Sequence, residues 1–198
     1  KETGFLFSCF EKIIAADIKS YDEFNLTDAL ECMIENGLKF QPFKDQVIFE
    51  KEEVLKDDGK PYTVFTPYSR KWKNIFTEAA IKPRASEKLL GNCIKAKATT
   101  IPSLKEIGFT ETGKGFPAKS LNKELLLKYG QQRDFPAVKG TSKLGVHLRF
   151  GTISIRALAA YALKYSPVYL NELIWRDFYQ MILWHFPLVG AGRSFKPA

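Results

Sequence analysis

Tyr169-Leu-Asn-Glu172-Leu-Ile-Trp175-Arg176-Asp-Phe-Tyr179-Gln-Met-Ile-Leu-Trp-His-Phe186 is the stretch whose reading decides the fold. Placed on a helix, Glu172, Trp175, Arg176 and Tyr179 fall at i, i+3, i+4 and i+7 and share one face. The remaining surface carries Leu170, Leu173, Ile174, Phe178, Met181 and Ile182, and a helix that is apolar nearly all round is a buried one. It therefore takes a carboxylate, a guanidinium and an indole inside with it, which is costly unless the charges are paired and hydrogen-bonded. Two readings stand at this point. Glu172 and Arg176 form an intrahelical ion pair beside a core tryptophan, or the face is a pocket wall that aims charge and a flat ring at a ligand.

Working upstream, Ser166-Pro167 supplies the N-cap and first helical position of this helix, and Ser154 caps another predicted over 155–165. A third is expected over 121–129, capped by Ser120 and ended by Gly130. Between them, no Asp or Glu occurs from Phe135 to Asn171, while Lys139, Lys143, Arg149, Arg156 and Lys164 are present. Cations without counter-charge make a locally positive surface. Within it, Gly140-Thr141-Ser142 precedes a short predicted helix. Gly allows close backbone approach, the hydroxyls donate, and free N–H groups attract phosphate; the other reading is an ordinary Ser/Thr cap. The GxxxxGK[ST] and GxGxxG phosphate loops are both absent.

Residues 80–117 lack a sustained period and are punctuated by Pro83, Pro102, Pro117, Gly91, Gly108, Gly113 and Gly115, the pattern of a long inter-domain linker lying over the surface. The first sixty-odd residues read as α/β. Thr27 is expected to cap a helix through Asn36 with Gly37 as its stop, and its buried stripe is Leu30, Met33 and Ile34. Strands are expected at 38–41 and 46–50. A turn at 57–61 places Gly59 at positive φ and leads into the aromatic, β-branched run Tyr62–Tyr68, after which a short basic helix covers 69–76.

Composition bounds the function. The 198 residues are 45% apolar and 26% charged, with a formal charge of +8, so an ordinary globular protein with a polyanionic partner is favoured. Cys9, Cys32 and Cys93 form no CxxC or Cys/His spacing and read as reduced thiols of an intracellular, cytoplasmic protein. With His147 and His185 the only histidines, a His-rich metal site is not available, and His185, on an apolar helix, reads as a satisfied core residue. No run reaches the length of a membrane span, and no GxSxG or Cys/His nucleophile arrangement is present. Catalysis, if any, then falls to a bound cofactor.

Tyr129-Gly-Gln-Gln-Arg-Asp-Phe-Pro-Ala-Val-Lys-Gly-Thr-Ser-Lys-Leu-Gly-Val-His-Leu-Arg-Phe-Gly151 closely resembles the flavin-binding region of the DNA photolyase/cryptochrome family, and Asn171–Tyr179 resembles its substrate-facing helix. Phe43–Glu50 and Gly59–Tyr68 are similar to the end of its N-terminal α/β domain and the start of its linker. The resemblance implies a mixed α and β protein. Residues 1–68 belong to a Rossmann-like, antenna-type α/β domain, 69–117 to the inter-domain linker, and 118–198 to the first helices of an all-α FAD-binding domain. It also implies that the chain is a fragment, since the family continues into a further helical region that completes the flavin pocket, the DNA cleft and the electron relay.

Carried over position by position, Tyr129, Thr141, Ser142, Lys143, Leu144 and Gly145 are implied FAD contacts near the diphosphate, with Tyr169 and Arg176 toward the flavin side. Arg133 is implied to contact DNA phosphate, Glu172 to hydrogen-bond a damaged pyrimidine pair, Trp175 to pack against it, and Arg176 and Tyr179 to face DNA. Glu172 and Trp175 are the implied catalytic pair, and no metal is implied. Two positions depart from the pattern: Gly145 replaces a usual hydroxyl residue, and Tyr169 stands where many relatives have Trp. The implied activity is light-driven splitting of cyclobutane pyrimidine dimers in DNA by electron transfer from reduced FAD, with a second antenna chromophore possible, in a protein monomeric at full length. The alternative is a cryptochrome-type blue-light receptor without repair.

Overall fold

The computed structural model describes residues 2–19, 23–93, 95–97, 99–110 and 112–195. Lys1 and residues 20–22 of the first expected domain, Ile94, Ala98 and Glu111 of the expected linker, and residues 196–198 of the last expected domain lie outside the described residues. The chain divides into two compact units, Lys1–Phe43 and Lys44–Ala198.

The first unit is built from α1 (Glu2–Ala15) and α2 (Leu26–Glu35). Cys9 and Ile13 of α1 and Ala29 and Met33 of α2 form its core, flanked by Phe5 and Leu30. The sequence reading did not name α1, although Phe5, Cys9 and Ile13 recur every four residues, the spacing of one helical stripe. Asn25, not Thr27, is the N-cap of α2: its N–H bonds to Asp28 Oδ2 at 3.3 Å, so the first turn is closed two residues earlier. Gly37 does end α2, at φ +95°, and Leu38 N–H returns to Met33 O at 2.9 Å. Ile34 stays exposed, off the expected stripe.

The second unit contains α3 (Phe65–Ile75), α4 (Lys123–Gln132), α5 (Gly145–Arg149), α6 (Ile155–Tyr165) and α7 (Pro167–His185), and α7 touches α3, α4 and α6. Its core includes Ile48, Trp72, Leu126, Leu158, Leu173, Ile174 and Phe178. The caps of α6 and α7 are those expected: Ser154 Oγ accepts from Ala157 N–H at 3.4 Å and Ser166 Oγ from Tyr169 N–H at 3.3 Å. α4 differs. Asn122 Oδ1 caps it, at 2.8 Å from Glu124 N–H, and Gly130 lies inside the helix rather than past its end.

The helical half of the mixed-fold expectation holds, whereas no strand occurs among the described residues. A strand exists only through a ladder; the expected strand at 38–41 is irregular, with Leu38 N–H closing α2, and the 46–50 run finds another partner. Ile48 and Phe49 give their N–H groups to a buried carboxylate, Asp177. The run Tyr62–Tyr68 is entered by α3, whose first turn contains Pro67; a proline N–H is not needed in the first turn of a helix. The expected turn remains, with Gly59 at φ +76° and an isolated antiparallel bridge between Leu55 and Pro61. From Lys82 to Lys119 the described chain is largely exposed and irregular apart from the 3-10 turn Ser86–Asn92.

Candidate functional site

α7 positions the site, because successive residues about 100° apart on one helix meet different neighbours. Glu172 accepts a charge-assisted hydrogen bond from Arg133 Nη1, and the same guanidinium lies 3.6 Å from Asp134. Arg133 is the C-cap of α4, so the pair ties α4 to α7, with the two side chains 34% and 35% exposed. The intrahelical Glu172–Arg176 pair is therefore not made. Arg176 instead turns to backbone: Nη1 donates to Gln46 O, and Nη2 reaches Gln46 Oε1 at 3.3 Å and Leu148 O at 3.5 Å. Burial opposes the charge of Arg133, but Glu172 and Asp134 outweigh it and raise its pKa.

Trp175 lies flat on Phe65, with ring centroids 3.5 Å apart and planes 6° from parallel. Tyr179, one turn further and 58% exposed, stacks on Trp175 with an offset at 5.4 Å, and Phe178 meets the indole edge-on at 5.7 Å. A cluster of aromatic rings, exposed at Tyr179 and partly buried at Trp175 and Phe65, is thus assembled beside a carboxylate and a guanidinium from three elements.

The residues implied for phosphate binding form a second group. Tyr169, at the start of α7, shares a 2.8 Å hydrogen bond with Ser142 Oγ, and its ring meets Tyr129 of α4 edge-on at 4.9 Å. Burial chiefly raises the Tyr169 hydroxyl pKa while the Ser142 bond opposes it; Tyr129 is raised by burial and then by the charge of Glu172. Leu144 is buried, its N–H 3.4 Å from Ser142 Oγ, and Lys143 takes φ +55°. Thr141, Lys143 and Gly145 remain exposed. Gly140 has a reason of its own: a Cβ there would lie 2.7 Å from Gln132 O, so only glycine lets this loop lie on the end of α4. Arg176 stands apart from this group, at the 46 and 148 carbonyls.

Three residues that matter to the site escaped the sequence reading: Phe65, Gln46 and Asp177. Each has its partner more than a hundred positions away, and no local signal marks it. The histidines also divide unexpectedly. His147 is the buried one, donating from Nε2 to Pro117 O at 2.7 Å and sharing a 2.8 Å bond with Thr152 Oγ1. His185 is half-buried and satisfied by Lys51 O at 3.0 Å. Among the described residues no cluster of three His, Cys, Asp or Glu could hold a metal, and no helix is long and apolar enough to cross a membrane.

Residues 12–87 match the family described as DNA photolyase. The chain is 33% identical to the deoxyribodipyrimidine photo-lyase of Synechococcus over 187 residues, covering 79% of this chain and 38% of that protein. The same enzyme of Alkalihalophilus pseudofirmus is 33% identical over 177 residues (78% and 36%), and that of Escherichia coli 31% over 177 (77% and 36%). The chain belongs to the DNA photolyase family. It spans 36–38% of the length of these relatives.

Proposed function

We propose that the chain is part of an intracellular, FAD-dependent enzyme that splits cyclobutane pyrimidine dimers in DNA under light. The observation that carries this reading is the α7 face, where Glu172 and Trp175 lie one turn apart beside exposed Tyr179, with Arg133 of α4 at its rim. A lesion flipped out of a duplex needs an aromatic platform and a polar group for its base edge. Trp175 and Tyr179 serve as the platform. Glu172 hydrogen-bonds the base edge more strongly as the base gains negative charge, which acts on the reaction step. On this reading Arg133 exchanges Glu172 for DNA phosphate, and Arg176 serves between flavin and DNA.

Residues of this chain fit FAD. Thr141 and Lys143 offer an exposed hydroxyl and ammonium beside the Ser142–Tyr169 pair, a donor set suited to a diphosphate; Tyr129, Leu144 and Gly145 complete that group on this reading, and Arg176, apart from it, serves the flavin side. When bound, reduced FAD supplies the photo-excited electron; the residues here hold the cofactor and receive the lesion. On the same reading 1–68 belongs to a Rossmann-like α/β domain that accompanies an antenna chromophore, 69–117 is the linker, and 118–198 opens the helical FAD and DNA domain. The full-length parent acts as a monomer.

The test is the full-length parent reconstituted with FAD and given dimer-containing duplex. Repair under near-UV or blue light, with none in the dark, is expected. A parent that binds flavin but repairs nothing would favour the blue-light receptor, and one that takes up no flavin would end both readings.

A further inference from the structure

We infer that Phe65, in the first turn of α3, is a positioning residue that fixes the plane of Trp175 and so determines how a flipped lesion is received. The inference rests on the repair reading above and extends the site to a segment of chain otherwise read as the approach to a linker.

A partly buried indole on a helix has several staggered orientations open to it. Trp175 is held in one by full-face contact with Phe65, at 3.5 Å and 6°, a geometry that aromatic pairs do not reach by attraction alone, since offset or edge-on contacts are preferred. Something must therefore hold Phe65, and two core rings do. Phe178, 5% exposed, meets Phe65 edge-on at 5.9 Å, and Tyr68, 1% exposed and one turn further along α3, packs against Phe178 at 5.1 Å. The order Tyr68, Phe178, Phe65, Trp175 runs from core to surface. The face of the indole against Phe65 is closed to a base and Tyr179 stacks on the same indole at 5.4 Å and 23°, so a flipped base is received on the part of the indole that the two rings leave open and on Tyr179, which is 58% exposed. An undamaged duplex presents no flipped base, so losing the Phe65 ring should weaken recognition of the lesion and spare general affinity for DNA.

The experiment uses the full-length parent with 5-fluorotryptophan incorporated, the Trp175 fluorine resonance being identified by Trp175→Phe. Phe65→Leu should shift and broaden that resonance, leave the one from buried Trp72 in place, and reduce affinity for a duplex carrying one thymine cyclobutane dimer by roughly tenfold, the scale of one stacking contact. Affinity for the same duplex without damage should stay within about twofold on this argument. Phe65→Tyr, which keeps the ring, should restore both readouts. If Phe65→Leu does not fold, Phe65→Met fills the space without a flat ring and is held to the same result. A Trp175 resonance unmoved in the ring-less variant overturns the inference, and so does a moved resonance with unchanged preference for the dimer. A parent with no preference for the dimer duplex at all overturns the repair reading, and the fluorine signal then decides the Phe65–Trp175 stack separately.

Discussion

Asp177 lies between two residues of the site, Arg176 and Phe178, yet faces the core. Its Oδ1 accepts from Ile48 N–H at 3.4 Å, and its Oδ2 from Phe49 N–H at 3.1 Å and from Trp72 Nε1–H at 3.0 Å, all with the carboxylate 1% exposed. Three donors depend on it, so Asp177→Ala leaves buried N–H groups unpaired at ~1–3 kcal/mol each and should unfold the second unit's core well below the wild-type midpoint. Burial lifts the carboxyl from 3.8 to about 6, against the hydrogen bonds from Trp72, Phe49 and Ile48 and the charge of Arg176. A folded pKa above the unfolded one means that the folded state holds the proton longer, so this group's contribution is full below about pH 4 and declines as pH rises through 6. The stability margin of wild type over Asp177→Asn should therefore be greater at pH 4 than at pH 7, by up to about 3 kcal/mol; urea titrations at the two pH values measure it, and a margin that grows with pH contradicts the sign.

At the scale of elements, two glycines on either side of one loop should behave oppositely. Gly130 lies inside α4, where a Cβ would meet Val168 Cγ2 at 3.4 Å, an ordinary contact, so Gly130→Ala should stabilise by ~0.5–1 kcal/mol through helix propensity. At Gly140 the added Cβ would lie within 2.7–2.8 Å of Gln132 backbone. Gly140→Ala must push the 140–144 loop off α4, lowering the melting temperature and, on the proposed function, the flavin retained by the parent; thermal melts and the flavin-to-protein absorbance ratio read both. These glycines also show where the sequence is legible. Gly130 looks like a helix terminator because propensity is local, whereas the helix is continued by packing on α7. Ser154 and Ser166 were readable as caps because a cap and its partners lie within one turn. The 46–50 run was not, since the carboxylate that takes its N–H groups is 128 and 129 positions away. The site divides the same way: Glu172, Trp175 and Tyr179 share a face by helical arithmetic, but neither Arg133 against Glu172 nor Phe65 against Trp175 follows from any spacing.

For the whole molecule, order is unevenly spread. The helices α3 to α7 of the second unit are joined by core contacts, while Ile101, Leu104, Ile107, Phe109 and Phe116 of the intervening segment are all more than half exposed. Exposed irregular chain is where proteases cut first. Brief trypsin treatment should cleave after Lys105 or Lys114 before any site within α4 to α7, as read by mass spectrometry; early cuts inside α7 would contradict the packing described. The position of Asp177 has a further consequence for how such a chain can change over generations. Glu172, Trp175, Arg176 and Asp177 occupy less than two turns, yet they answer to α4, to α3, to the 46 and 148 carbonyls and to the core. On the proposed function, recognition and folding are thus written in the same few letters, and neither can drift without the other. Grafting this face onto a foreign helix would fail unless its distant supports travelled with it.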